Sequence, residues 1–234
     1  MAIEAIIFDK DGVLVETEAL QFNAWYHAIL AVSKKHGQRW VLSAREYCEL
    51  SQTMAPKQFL IYAINGRIDQ LYHNEIAGLY EECYGGSLRL NIRQVRGVVG
   101  FLNTVKQRYR LALATGAPDN SIKPDLEMAG IDSKLFDVML SGENFPQNKP
   151  EPDVYIGVAR SLGIVPENCL VMEDSAIGVK AAKAAGMLCI ARLNPFFHAW
   201  LGREYEEKLS VAGTSKVIKE YGHLRLDYIS SINA

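Results

Sequence analysis

Apolar residues gather along the chain in short runs closed by turn-forming or charged positions: Ile3 to Phe8, Leu111 to Ala114, Phe136 to Leu140, Cys169 to Met172 and Leu188 to Ala191. Runs of this length, rich in Val, Ile and Leu and without strict alternation, predict strands covered on both faces of a parallel sheet. Between them the apolar spacing changes to the helical period. Val98 to Lys106 precedes the second run, Asp153 to Leu162 the fourth and Ala176 to Ala185 the fifth, which is the β-α-β alternation of a doubly wound α/β fold. Gly130, Gly163 and Gly186 each follow a helical pattern, where a left-handed C-cap is expected.

The alternation breaks between about Glu16 and Leu88. No clear strand is visible there, and amphipathic stretches such as Leu20, Ala24, His27, Ala28 and Ala31 predict a helical insertion, with Trp25 and Tyr26 in its own small core. Tyr84, Gly85, Gly86 and Ser87 form a turn at its far edge. The predicted organisation is a core built from residues 1–15 and 89–234 and a helical second domain over 16–88. The tail from Phe196 onward mixes charged and aromatic residues and carries no motif.

With 234 residues, 49% of them apolar, the chain can bury one sizeable core with room for a second small domain. A balance of 25 basic against 27 acidic residues gives a net charge of −2, which offers no footprint for nucleic acid or an anionic membrane and directs attention to small molecules. Cys48, Cys83, Cys169 and Cys189 are scattered without zinc-site or C-x-x-C spacing, so reduced thiols are expected. Glu4 and Asp9 interrupt any signal-like apolar region, and no stretch reaches the roughly 18 apolar residues of a membrane span. A cytoplasmic location is therefore expected; the pattern leaves oligomeric state open.

In an open α/β sheet, ligands bind beyond the carboxyl ends of the strands. Asp9 and Asp11 follow the first apolar run, Thr115 and Gly116 the second, Glu173 and Asp174 the fourth, and Lys149 lies in the stretch before that fourth run. Several carboxylates converging in a cleft repel by roughly 4 kcal/mol per pair at about 4 Å and an effective dielectric near 20. A cation is needed there, and oxygen ligation beside a lysine and a hydroxyl suits Mg²⁺ with a phosphoryl group. Asp9 could then attack phosphorus as a nucleophile, Asp11 could serve as general acid and then general base, and Lys149 and Thr115 could stabilise the equatorial oxygens. Taken singly, each has a plainer reading: D-G is a common turn dipeptide, and Asp174 or Ser175 could merely cap a helix.

The ordered set resembles the haloacid dehalogenase superfamily, in the branch with a helical cap between its first and second motifs. DKDGVLVET resembles the first motif, LALATGA the second, NKPEPDVY the third and CLVMEDSAIGVKAAKAAGM the fourth. The resemblance spans the chain and implies a Rossmann-like core with an α-helical cap, and a Mg²⁺ ion bound by Asp9, the backbone carbonyl of Asp11 and Asp174, with Glu173 in support. It also implies Thr115, Gly116 and Lys149 as the phosphate-binding residues. An acid at Asp11 accompanies phosphoryl transfer and sets the chain apart from the dehalogenase and phosphonoacetaldehyde hydrolase branches.

The expected function is a Mg²⁺-dependent phosphatase of a small phosphorylated metabolite, a sugar phosphate or phosphoglycolate, acting through an aspartyl-phosphate. The alternative is a mutase resembling β-phosphoglucomutase; a non-catalytic binding domain is more distant. β-Phosphoglucomutases carry a histidine four residues after the threonine of ETEALQFNAW. Here Thr17 is followed by Gln21, which does not titrate near neutral pH, and this weighs against the mutase. The five histidines share no spacing and read as surface or packing residues, while Arg45 and Lys57 are possible contacts for a substrate anion.

Overall fold

The computed structural model describes residues 2–53 and 68–232, so Lys57 lies outside the described residues. Its strands are β1 (Ala5–Phe8), β2 (Val15–Glu16), β3 (Arg93–Gln94), β4 (Arg110–Thr115), β5 (Val138–Ser141), β6 (Cys169–Glu173), β7 (Leu188–Arg192) and β8 (Lys216–Ile218). The main helices are α1 (Glu18–Lys35), α2 (Ala44–Ser51), α3 (His73–Cys83), α4 (Val98–Val105), α5 (Asp119–Met128), α6 (Asp153–Leu162), α7 (Ala176–Ala184), α8 (Pro195–Leu201), α9 (Arg203–Val211) and α10 (Leu226–Ser231).

Six strands form one parallel sheet in the order β5-β4-β1-β6-β7-β8. Alternate residues of β1 serve opposite layers: Ala5 and Ile7 pack with Val154, Val158 and Val179 of α6 and α7, Ile6 and Phe8 with Val98, Leu102, Ile122 and Leu126 of α4 and α5. Both faces are covered, which is why the run shows no polar alternation. Phe8 is fully buried edge-on to Phe101 and Phe136, at 6.2 and 6.3 Å between ring centres, a burial worth about 1.5–3 kcal/mol. The three predicted C-cap glycines have positive φ.

Two features depart from the sequence reading. The first is β8, a sixth strand of three residues, KVI, too short and too flanked by charge to show as an apolar run. The second is the antiparallel ribbon of β2 with β3, which joins the chain just before the interval 16–88 to the chain just after it, pairing Val15 with Gln94 and Glu16 with Arg93. Within that interval the described elements are helices apart from Glu16. The buried face of α1 is Ala24, Trp25, Ala28, Ile29 and Val32, because Trp25 stacks on Tyr80 of α3 at 3.8 Å and 15°. His27 and Ala31, assigned to the apolar face from spacing, are exposed, and Tyr26 is half-buried.

Candidate active site

The carboxyl ends of β1, β4 and β6 lie side by side, so the chain places Asp9, Thr115 and Glu173 next to one another at one edge of the sheet. The Asp9 amide donates to Met172 O at 2.9 Å, extending the β1–β6 ladder one residue past β1 and fixing where the acid begins. Lys149 enters from the loop before α6. Its ammonium donates to Asp9 Oδ1 at 2.5 Å, Glu173 Oε1 at 2.7 Å and Ala114 O at 3.3 Å. The default of a solvated loop lysine is overridden: Lys149 is buried between two carboxylates.

Glu173 is fully committed. Its Oε1 accepts from Lys149 and from Tyr155 OH at 2.8 Å, and its Oε2 from the amides of Asp174 and Ser175 and from Ser175 Oγ at 2.9, 3.0 and 3.0 Å. Burial works against its charge, yet Lys149 and these donors hold Glu173 below the ordinary glutamate range. Ser175 also caps α7 by accepting from Gly178 N at 3.1 Å, so the capping reading of Ser175 holds alongside the functional reading of its neighbours.

Burial pushes the Asp9 carboxyl up to about 7 against the pull of Lys149, with Glu173 and Asp11 adding to the rise. Burial and the charges of Glu18, Glu173 and Asp9 raise Asp174 well above the ordinary range, opposed by a hydrogen bond from Asn194 Nδ2 at 2.7 Å. Two acids pushed towards protonation by burial and mutual repulsion are the electrostatic signature of a place for a cation, and the oxygen donors there suit a hard divalent ion. Among the described residues, no group of three or more His, Cys, Asp or Glu side chains is arranged to hold a metal by itself. A set of two carboxylates and the Asp11 carbonyl, as the motif resemblance implies, contains only two such side chains, and the residues fit it.

Asp11 differs from Asp9 in how it is held. Its Oδ1 accepts from Thr17 Oγ1 at 2.6 Å and from Gln21 Nε2 at 3.5 Å, and lies 3.3 Å from the Lys10 ammonium. No described residue bonds Oδ2 of Asp9 or of Asp11. The Thr115 hydroxyl accepts from Ala117 N at 3.0 Å and keeps its own proton to donate, and Gly116 is exposed, with open space where a Cβ would stand.

Several residues complete the site in ways the sequence did not show; of Gly12 only the turn was read. Gly12 has φ +70, and a Cβ there would stand 1.8 Å from Asp174 Oδ2. Arg192 donates to Gly12 O at 2.6 Å and to Glu16 Oε1 at 2.7 Å, bracing the turn after β1. Tyr205 donates to Asp174 O at 2.5 Å and accepts from Asn194 N at 3.2 Å. Glu18, in the first turn of α1, accepts from Tyr47 OH at 3.0 Å, and burial with the nearby Asp11 charge pushes it up to about 8. Asn194 was within reach of the strand-end rule, since N-P two residues past β7 is a helix-start signal in the right place.

A parallel sheet with acids, a lysine and a hydroxyl gathered at adjacent strand ends, and helices inserted after its first strand, defines a haloacid dehalogenase-type fold. The family model for the haloacid dehalogenase-like hydrolases matches residues 3–186, and the chain belongs to that family. It is 33% identical over 189 residues to the phosphorylated carbohydrates phosphatase of Thermotoga maritima, covering 79% of this chain and 82% of that one. It is 30% identical over 200 residues to CbbY of Rhodobacter capsulatus, covering 80% and 84%. Among solved structures, a variant of CbbY from Rhodobacter sphaeroides in complex with xylulose-(1,5)bisphosphate superposes with a TM-score of 0.76 at 28% identity, covering 95% of this chain and 96% of that one. Among the described residues, no helix is long and apolar enough to cross a membrane.

Proposed function

We propose that the protein is a Mg²⁺-dependent phosphatase of small phosphorylated carbohydrates or related metabolites, with residues 1–15 and 89–234 as its core and 16–88 as a cap over the site. The observation that carries this is the unequal treatment of the two acids: Asp9 is held by Lys149 at 2.5 Å, whereas Asp11, two residues on, is held through one oxygen by Thr17 and Gln21. The names of the relatives, and the sugar bisphosphate bound by the CbbY variant, support the substrate class.

In this reading Asp9 Oδ2 attacks phosphorus, the bond from phosphorus to the substrate oxygen breaks, and Asp11 Oδ2 gives its proton to that oxygen. Asp11 then takes a proton from water, whose oxygen displaces Asp9 and releases orthophosphate. Lys149, the Thr115 hydroxyl and the Gly116 amide orient the phosphoryl oxygens throughout, and Glu173 keeps Lys149 in place. Mg²⁺, held by Asp9, the Asp11 carbonyl and Asp174, supplies neutralisation of phosphoryl charge. Gln21 beside Asp11 favours water as the acceptor over a second sugar hydroxyl, since the titrating histidine of the mutases is missing.

Incubation with Mg²⁺ and a panel of sugar phosphates, phosphoglycolate and nucleoside monophosphates tests the proposal. Orthophosphate release is expected with the intact protein, and none with Asp9→Asn or after EDTA treatment until Mg²⁺ is restored. Full activity in Asp9→Asn, or interconversion of hexose 1- and 6-phosphates without free phosphate, would overturn it.

A further inference from the structure

Lys10 stands between the two acids of the first motif, yet its side chain leaves their cleft. It is 1% exposed, and its ammonium donates to Asp125 Oδ2 while lying 3.3 Å from Asp11 Oδ1. Asp125, on α5, is wholly buried, and its other oxygen accepts from Arg89 Nε at 2.6 Å. Arg89 opens the short turn Arg89–Asn91 that leads into β3, and its Nη2 donates to Ser121 O at 3.1 Å, anchoring it to α5 as well. A line of alternating charge therefore runs from the chain leaving the helical interval, through the core, to Asp11.

Stability does not account for this line. Taking the Lys10 and Asp125 charges out of water is costly, and apolar residues of similar volume are often neutral or better in such places. What the line does supply is direction. Every described donor to Asp11 falls on Oδ1: Thr17 and Gln21 come from the chain entering the helical interval, and Lys10 carries the influence of the chain leaving it. With Oδ1 fixed from both crossings, Oδ2 is left turned to the substrate side.

We propose that Arg89, Asp125 and Lys10 form a positioning relay that ties the second crossing between core and cap to the Asp11 carboxylate, so that Asp11 is correctly aimed only when both crossings are in place. The proposal rests on Asp11 being the proton carrier. Asp11 is the catalytic residue, and the other three act through it.

Arg89, with 24% of its side chain exposed, is the place to test the relay. Arg89→Met should lower kcat for a sugar phosphate about tenfold with KM within about twofold, because a small misaim of a reacting group costs rate more than binding. Arg89→Lys should restore most of the loss. Hydrogen–deuterium exchange supplies a readout that needs no turnover: Arg89→Met should speed exchange at residues 10–12, which the β2–β3 ribbon does not pair, as well as at 89–94 and, through that ribbon, at 15–16. Exchange that speeds only at 15–16 and 89–94, with 10–12 unchanged, overturns the relay, as does a rise in KM with kcat intact. An inactive wild type sinks the phosphatase reading instead, and the exchange result then decides the relay alone.

Discussion

Gly12 stands where any side chain would displace the Asp174 carboxylate. Its φ of +70 asks for a left-handed backbone, and a Cβ would also come within 2.6 Å of Asn194 Nδ2. Gly163 has the same φ with nothing within 4 Å, so the two glycines separate backbone strain from crowding. Gly163→Ala is expected to cost about 1–2 kcal/mol in urea unfolding, the ordinary penalty of the left-handed region. Gly12→Ala adds the disruption of a buried hydrogen-bonded pair, about 1–3 kcal/mol more, and should abolish phosphate release where Gly163→Ala keeps it. Equal stability losses in the two variants, with activity retained in both, would show that Asp174 yields freely. Asp9, Asp11, Thr115, Glu173 and Asp174 were legible as candidates because strand ends are readable from apolar runs, and Lys149 because its polar stretch NKPEPDVY resembles the family's third motif. Tyr205 and Glu18 were not, because their roles depend on which distant groups they meet: Tyr205 reads as one aromatic among several in a tail without a motif.

Among the elements, the edge of the sheet depends on one acid at the start of β5. Asp137 Oδ2 accepts from Leu111 N at 2.9 Å, from Lys106 Nζ at 2.7 Å and pairs with Arg110 Nε at 3.2 Å, so it closes the ladder between β4 and β5 and pins the end of α4 to both. Burial is the largest single influence and works against its charge, but the hydrogen bonds from Lys106, Leu111 and Arg110 together hold Asp137 below the ordinary aspartate range. A carboxyl whose folded-state value is depressed contributes stability above its unfolded value, about 3.9, and loses it as pH falls through the lower folded value. With 23% of its side chain exposed, the contribution is about 1 kcal/mol. Asp137→Asn should therefore be less stable than the parent by that amount in chemical denaturation at pH 7, with the gap narrowing below pH 4; a gap independent of pH would remove the charge from the explanation. The sequence places Asp137 inside the run Phe136 to Leu140 as an interruption. Only the neighbouring strand shows that the interruption is an anchor, and the same dependence on a neighbour hides β8, whose three residues become a strand by pairing with β7.

At the scale of the molecule, the described helices of the interval 16–88 meet the core through polar links and an aromatic seam. Phe22 packs against Tyr47 and against Phe196 of α8, at 5.6 and 5.8 Å between ring centres. Gln52 accepts from Ala176 N at 2.9 Å, beside the site, and its Nε2 is buried without a partner among the described residues. On the outer side Arg45, a sequence candidate for a substrate anion, instead donates to Trp200 O at 3.2 Å and to Glu204 Oε2 at 2.7 Å. Its guanidinium is thus spent on holding helix α2 to α8 and α9 rather than on the site. Both partners are about half exposed, 53% and 42%, so the pair is a weak, solvent-screened contact. For the proposed cap, its loss should shift the balance between closed and open arrangements by no more than about fivefold. Arg45→Ala should raise KM for a sugar phosphate by up to about that factor while leaving the chemical step intact. Because charges at the surface are screened over a Debye length of about 8 Å at 0.15 M and about 3 Å at 1 M salt, raising NaCl should move the wild-type KM towards that of the variant and leave the variant less affected. A fall in kcat with KM constant would instead place Arg45 in the chemistry, and an equal salt response in both proteins would mean that the Arg45–Glu204 pair does not hold the cap closed.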